Sequence, residues 1–131
     1  MSKKSAWALI CYEEKYLFTR RSETTSRPGQ WCLAGGGVHS SESPADACVR
    51  EVLEEVGLHV TIENQLCEDE GFCYFRCQLV ERPPVITLAP RECSEYQWVT
   101  PKHLLNLGPI MELGRMRRVF RLLGISLEPN S

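Results

Sequence analysis

Residues 50–58, REVLEEVGL, bring three carboxylates and one guanidinium together within about two helical turns. At about 100° per residue, Glu51, Glu54 and Glu55 fall on one flank of a helix, beside its apolar stripe. Like charges at this spacing destabilise an exposed helix by roughly 0.2–0.5 kcal/mol per pair, a cost that a hard divalent cation would reverse. Mg²⁺ prefers oxygen ligands and completes its coordination with water and phosphate oxygens. The cluster therefore predicts a metal site that meets a phosphate; a solvated helix face is the alternative.

A glycine triplet at residues 35–37 precedes this helix. Because glycine has no side chain to obstruct a ligand, the triplet can turn a backbone carbonyl or amide toward the carboxylates. A glycine triplet alone is a weak signal. One that leads into a capped, carboxylate-bearing helix is a considerably stronger one.

Together these segments resemble the Nudix box. Gly36, Glu42 and residues 50–58 match all of its fixed and apolar positions at the family's spacing. The lead-in at Arg27 to Trp31 and the segment Tyr96 to Val99 also look like MutT-like Nudix hydrolases, so the resemblance covers nearly the whole chain. It implies an α/β fold, a Nudix-type α/β/α sandwich with a mixed β-sheet between helices, in one domain over residues 1–131.

The resemblance also implies which residues hold the metal, Mg²⁺ or Mn²⁺. Glu54 and Glu55 would be ligands, together with the backbone carbonyl of Gly35. Glu51 would be a further ligand or the general base that deprotonates water. Many family members add a carboxylate from a loop before the last strand, and here Glu92 is favoured for that role.

Other residues of the box would support this site. Arg50 would orient the glutamates, and Glu42 would support the loop. Glu95 is a second candidate for the loop carboxylate, but it begins the last strand itself. At the first hairpin, Arg20 or Arg21 is a candidate phosphate ligand, because a guanidinium suits bidentate phosphate recognition; a solvated strand end is the alternative. The substrate-binding residues expected are Arg20, Arg21, Gly36 and Gly37.

The substrate is less well indicated than the chemistry. The segment Trp31 to Val38, with a short C-terminal helix after Tyr96 to Val99, looks most like the bacterial nucleoside triphosphatase branch. That branch releases pyrophosphate from NTPs or dNTPs. A GDP-mannose-type nucleotide-sugar hydrolase and an RNA 5′-pyrophosphohydrolase are the alternatives. A non-catalytic nucleotide-sensing module is disfavoured, because such modules tend to have lost box glutamates.

The elements that must position these residues can be read from the sequence. Ser43 to Val56 is predicted as a helix, with Ser43 as N-cap, Pro44 in the first position and Gly57 as a left-handed C-cap. The predicted buried stripe is Ala45, Cys48, Val49, Val52 and Val56. Strands are predicted at Ser5–Tyr12, Tyr16–Arg21, Trp31–Ala34, His59–Gln65, Gly71–Val80, Val85–Leu88 and Glu95–Thr100. A helical turn at Pro101–Leu105 and a helix from Pro109 to Leu123 complete the prediction.

Composition narrows the functional classes. The chain has 131 residues, 43% of them apolar, and a net charge of −2, which argues against a general nucleic-acid or membrane-surface binder. No apolar run approaches a membrane span, and the start does not read as a signal peptide, so a cytoplasmic location is expected. Seven scattered cysteines without a C-x-x-C pair favour reduced thiols over disulfides or zinc. The expected partner is a small-molecule nucleotide; a homodimer is compatible with the family, and no stable nucleic-acid or membrane partner is expected.

Overall fold

The computed structural model describes residues 3–128, which form seven strands and three helices. In chain order they are β1 (Ser5–Tyr12), β2 (Lys15–Arg21), β3 (Trp31–Cys32), β4 (Ala34–Gly37), α1 (Pro44–Val56), β5 (Val60–Asp69), β6 (Phe72–Leu79), β7 (Cys93–Val99), α2 (Pro101–Leu104) and α3 (Leu113–Leu122). Within that range, no helix has both the length and the apolar character needed to cross a membrane.

Strand β1 lies at the centre of a mixed sheet. It pairs in parallel with β6 and antiparallel with β4 and β2. On one side β2 also pairs with β3 and β7. On the other side β6 also pairs with β5. Residues 6–10 of β1 are all buried, as expected for a strand covered on both faces.

The side chains of β1 point alternately to the two faces of the sheet, and the core is divided into one layer on each face. Ala6 and Ala8 pack with Val52 of α1 on one face, whereas Trp7 and Leu9 belong to the cluster around α3 on the other. The predicted α/β/α sandwich with a mixed sheet is therefore confirmed.

Local sequence signals set both ends of α1. The Ser43 hydroxyl accepts a hydrogen bond from the Asp46 N–H at 3.1 Å, and Pro44 occupies the first turn. Gly57 adopts φ 72° and donates its N–H to the Leu53 carbonyl at 3.0 Å. The predicted helix and both of its caps are confirmed.

The buried face of α1 differs from the predicted stripe. Cys48, Val52 and Val56 are buried as expected. However, Ala45 and Val49 are only partly buried, and the other fully buried positions are Ala47 and Glu55. The helix is turned so that a carboxylate enters the interior, which a stripe of apolar residues alone does not predict.

The predicted strand at Val85–Leu88 is wrong. N–H groups in and directly after this segment satisfy carbonyls at the end of α1 instead of pairing in a sheet. Thr87 donates to the Val56 carbonyl, and Ala89, the next residue after the segment, donates to the Glu55 carbonyl, both at 2.9 Å. The segment is thereby fixed as a loop against the end of the helix.

Several predicted boundaries also shift. The segment predicted as one strand from Trp31 to Ala34 divides at Leu33, because β3 pairs with β2 and β4 pairs with β1. The C-terminal helix begins at Leu113 rather than Pro109, since Trp31 exchanges backbone hydrogen bonds with Pro109 and Met111, each at 2.8 Å. Strand β5 runs on to Asp69. All seven cysteines are free thiols, and five of them are buried.

Candidate active site

Three carboxylates converge above the glycine segment. One oxygen from each of Glu51, Glu55 and Glu92 lies within 4.8 Å of the others. Glu51 and Glu55 stand one helical turn apart on α1, and Glu92 comes from the loop before β7. Three hard oxygen donors at this separation are the chemistry of a divalent cation site.

The loop that carries Glu92 is attached to the rest of the site through its backbone. Ala89 donates to the Glu55 carbonyl, and the Glu92 N–H donates to the Ala89 carbonyl, both at 2.9 Å. The Glu92 carbonyl in turn accepts from the Ser22 N–H at 3.0 Å. Glu95 points elsewhere, because its carboxylate pairs with Arg20 at 3.1 Å. Of the two loop candidates, the structure thus brings Glu92 to the helix carboxylates.

Glu55 is the most deeply placed carboxyl of the cluster, only 5% exposed. It accepts a hydrogen bond from the Gly35 N–H at 3.1 Å. Burial raises the pKa of Glu55 to about 9, the Gly35 hydrogen bond opposes that rise, and the carboxylates of Glu51 and Glu92 add to it. A carboxyl in this setting is ionised at neutral pH only when a cation compensates its charge, so the residues fit a divalent metal ion.

Two glycines of the triplet are closely packed, Gly35 against backbone atoms and Gly36 against the end of the Glu51 side chain. A Cβ at Gly35 would lie 2.1 Å from the Ala6 carbonyl oxygen, and a Cβ at Gly36 would lie 2.5 Å from a carboxylate oxygen of Glu51. A Cβ at Gly37 would contact nothing within 4 Å. Gly36 therefore allows the Glu51 carboxylate to lie directly against the strand.

Arg50 connects the box residues to one another. Its guanidinium donates to both oxygens of Glu42, to Glu51 at 2.9 Å, to Glu54 at 3.1 Å and to the Gly37 carbonyl at 3.0 Å. These contacts join Arg50 to three glutamates of the box; the roles of Arg50 in orienting them and of Glu42 in supporting the loop stay predictions.

The charge state of Glu42 follows from the same network. The hydrogen bond from Arg50 and a second from the His39 N–H at 2.9 Å lower the pKa of Glu42 to about 2. Glu42 is therefore ionised throughout the neutral range and holds Arg50 in place.

Glu54 stands apart from the three converging carboxylates. Its side chain is 57% exposed and pairs with Arg50 four residues earlier on the helix. The structure thus gathers Glu51, Glu55 and Glu92, and the assignment of Glu54 as a metal ligand stays a prediction.

The two arginines of the first hairpin have different surroundings. Arg21 lines a cavity of about 350 Å³ together with the glycine triplet and the three carboxylates. Arg20 instead binds the Gly29 carbonyl and Glu95. Consecutive residues of a strand point to opposite faces of the sheet, so Arg20 and Arg21 diverge. The register shift beside them comes from an extra residue, Ser94, on β7. The sequence offered no signal that distinguishes them.

The floor of the cavity also includes residues that the sequence analysis did not assign to a site. Ser5 and Trp7 line it from β1, because β1 pairs with β4 and places Trp7 opposite Gly35. Only the strand order brings them there.

The family model of the NUDIX domain matches residues 1–123 of the chain. The chain belongs to the Nudix family. Its Nudix domain is 31% identical over 98 residues to the nucleoside triphosphatase NudI of Escherichia coli O139:H28, covering 60% of this chain and 67% of that protein. It is 38% identical over 55 residues to the CTP pyrophosphohydrolase of Escherichia coli K12, covering 42% of this chain but only 41% of that relative's length.

A solved structure supports the same assignment of fold. The MutT protein from Methanosarcina mazei Go1 superposes with a TM-score of 0.75 at 26% identity, over 91% of this chain and 93% of the other. The Nudix box accounts for the glycine loop, helix α1 and the carboxylates of Glu51 and Glu55, whereas Glu92 lies outside it. Ser5, Trp7 and Arg21 complete the cavity in this Nudix domain from outside the box.

Proposed function

We propose that this chain is a Mg²⁺- or Mn²⁺-dependent pyrophosphohydrolase that cleaves a nucleoside triphosphate to a monophosphate and pyrophosphate. The observation that carries the proposal is the convergence of Glu51, Glu55 and Glu92 in a cavity that Arg21 also lines. Carboxylates opposite a guanidinium suit a phosphate chain bridged by metal, since the cation and the arginine both neutralise phosphate charge.

The carboxylates are assigned to holding the metal. Glu51, Glu55 and Glu92 would bind a divalent cation, which when bound neutralises charge developing on the phosphate and lowers the pKa of water. Gly35 holds the buried carboxyl of Glu55 in place through its N–H. The guanidinium of Arg50 holds the Glu51 carboxylate in place through a hydrogen bond of 2.9 Å.

Glu51 is also assigned to proton transfer. Burial raises the pKa of the Glu51 carboxyl, while Arg50 lowers it through a hydrogen bond. A carboxylate of raised pKa accepts a proton from the attacking water more readily. The water oxygen bonds to phosphorus, the anhydride P–O bond breaks, and pyrophosphate leaves with the electron pair. Arg21 is placed to donate to the phosphate oxygens during this step.

The relatives favour a triphosphate over other phosphoanhydrides. The names of the two curated relatives given above, a nucleoside triphosphatase and a CTP pyrophosphohydrolase, both describe triphosphate chemistry. A nucleotide-sugar hydrolase and an RNA 5′-pyrophosphohydrolase are the competing outcomes. A GDP-mannose-type hydrolase would release a free sugar and a nucleoside diphosphate. An RNA 5′-pyrophosphohydrolase would also release pyrophosphate and would differ in the RNA chain that stays on the monophosphate.

A substrate panel with product analysis tests the proposal. NTPs, dNTPs, nucleotide sugars and 5′-triphosphorylated RNA are incubated with the protein and Mg²⁺ or Mn²⁺, and products are separated by ion-exchange chromatography. A nucleoside monophosphate with pyrophosphate supports the proposal, and hydrolysis of only a sugar nucleotide or RNA contradicts it.

Matched variants identify the site. Glu55→Gln is expected to lower turnover at least about 100-fold, since it removes a buried ligand. Glu63→Gln, an exposed β5 carboxylate paired with Arg76, is the control and is expected to retain turnover. Glu54→Gln decides the role of that residue: parental activity and metal affinity would exclude it as a ligand.

A further inference from the structure

A second cavity adjoins the one that holds the carboxylates. It has a volume of about 220 Å³, and Ser5, Trp7 and Arg21 line both cavities. Sites for drug-sized ligands span about 300–1,000 Å³, so this cavity suits one part of a nucleotide rather than a whole one. With phosphates at the carboxylates, the part that reaches the second cavity is the nucleoside end.

One wall of this second cavity is apolar and partly aromatic. Trp7 and Phe72 line it, with ring centroids 6.4 Å apart and planes 20° apart, and Tyr74 continues the row at 6.5 Å from Phe72. Met111 adds a further apolar contact. Phe72 is partly exposed and offers a flat apolar face that can bind a nucleobase without distinguishing one base from another. Trp7 and Tyr74, 7% and 2% exposed, support that ring from the core.

The polar group that could distinguish bases is Arg27. It lines the second cavity, and its side chain is 43% exposed. Its Nη1 pairs with Glu112 at 2.5 Å, the one side-chain partner that Arg27 has within residues 3–128. A guanidinium carries five N–H donors in a planar fork, so donors remain for a ligand.

Arg27 is held in place by a chain of contacts. Arg27 and Glu112 both have left-handed backbones, with φ 53° and 54°, conformations that non-glycine residues keep only when their surroundings enforce them. The second oxygen of Glu112 accepts from Arg115. Arg115 is fixed in turn by Asp69 at 3.4 Å and by the Phe72 ring, 4.4 Å from its centroid. Two residues with left-handed backbones are thus tied together beside the cavity that Arg27 lines.

We infer that Arg27 selects the nucleobase of the substrate by donating to two adjacent acceptors, a carbonyl oxygen and a ring nitrogen. Guanine presents such a pair at O6 and N7, and cytosine presents one at O2 and N3. Adenine has an amino group beside its ring nitrogens, and uracil has an N–H between its carbonyls, so neither offers the pair. Glu112 acts as a positioning residue. The inference rests on the proposed function, because it takes the substrate to be a nucleotide with its phosphates at the carboxylates.

Metal-free binding of nucleoside monophosphates tests this inference apart from hydrolysis. Titration calorimetry is run with GMP, CMP, AMP and UMP on the parent, on Arg27→Gln and on Arg117→Gln, an exposed arginine of α3 outside both cavities. Either GMP or CMP is expected to bind the parent and the Arg117→Gln control at least about tenfold more tightly than AMP or UMP does. The preference is expected to vanish in Arg27→Gln. Equal binding of AMP or UMP, no binding of any monophosphate, or a preference that survives in Arg27→Gln overturns the inference.

Two further variants separate selection from folding. Arg27→Lys retains a positive charge for Glu112 but loses the planar fork, so it is expected to lose the preference while melting at the parental temperature. Glu112→Gln is expected to weaken binding of the preferred monophosphate while binding of AMP stays at the parental level, a selective loss that general destabilisation would not produce.

Hydrolysis distinguishes failure of this inference from failure of the proposed function. In the parent, kcat/KM is expected to favour GTP or CTP, and Arg27→Gln is expected to raise KM for that substrate with kcat retained. Monophosphate preference without triphosphate hydrolysis contradicts the proposed function alone. Triphosphate hydrolysis without base preference contradicts the role of Arg27 alone.

Discussion

The backbone N–H of Gly35 donates to the buried carboxyl of Glu55 at 3.1 Å, which ties strand β4 to helix α1 beneath the candidate metal site. A buried carboxyl normally costs folding free energy unless its charge is neutralised or compensated. Here one hydrogen bond orients it while its remaining lone pairs stay available for a cation. The hydrogen bond therefore orients the proposed ligand, while burial of that carboxyl costs stability in the metal-free state.

Replacing the ionisable carboxyl of Glu55 is expected to alter the pH dependence of the free energy of unfolding. Its pKa rises from an ordinary 4.5 to about 9 in the folded protein, so the folded state holds a proton that the unfolded state releases. This contribution is complete below pH 4.5 and is lost as pH rises toward about 9. In EDTA, the free energy of unfolding from urea titrations is expected to fall across that window in the parent and to fall less in Glu55→Gln. Identical pH profiles for the two proteins would contradict the buried, proton-holding carboxyl.

Gly36→Ala is expected to displace the Glu51 carboxylate. A Cβ at this position would lie 2.5 Å from one carboxylate oxygen, so the side chain must move away from the strand. A displacement of about 1 Å can lower turnover roughly 100-fold, and we expect a loss of that size in kcat together with weaker Mn²⁺ binding. Gly114→Ala is the control, because a Cβ there meets nothing within 4 Å. Parental kcat in Gly36→Ala would show that Glu51 does not act from its position against β4.

Glu92→Gln is expected to weaken Mn²⁺ binding about 10- to 100-fold, since it removes one of three converging carboxylates. Glu95→Gln is the matched control, three residues along the chain and paired with Arg20 outside the cluster. Electron paramagnetic resonance of free Mn²⁺ measures both affinities without relying on turnover. Equal affinities for the two variants would exclude Glu92 as a ligand.

Arg21→Gln is expected to raise KM for a triphosphate by about tenfold or more, because Arg21 lines the carboxylate cavity and a charged hydrogen bond to phosphate is lost. Arg20→Gln removes the neighbouring guanidinium, which is held by Gly29 and Glu95 away from that cavity. Steady-state kinetics of both variants compare the two positions directly. A larger rise in KM for Arg20→Gln would reverse the assignment.

The sequence by itself determined the family, the ends of α1 and the spacing of the box. These features depend on neighbours a few residues apart. The Ser43 hydroxyl accepts from the Asp46 N–H, the Gly57 N–H donates to the Leu53 carbonyl, and the Arg50 guanidinium donates to the Glu54 carboxylate. Such contacts follow from helix geometry, so the order of residues is enough to predict them.

Tertiary structure alone decided which of the predicted residues meet. Glu92 joins Glu55 because the loop before β7 docks on the carbonyl end of α1. Arg21 rather than Arg20 lines the cavity because consecutive residues of β2 point to opposite faces of the sheet, and strand pairing places the cavity on the side of Arg21. The pairing of Arg27 with Glu112 likewise joins segments far apart in the chain. Each of these contacts depends on strand pairing and loop docking, which bring together residues whose separation along the chain carries no periodic signal.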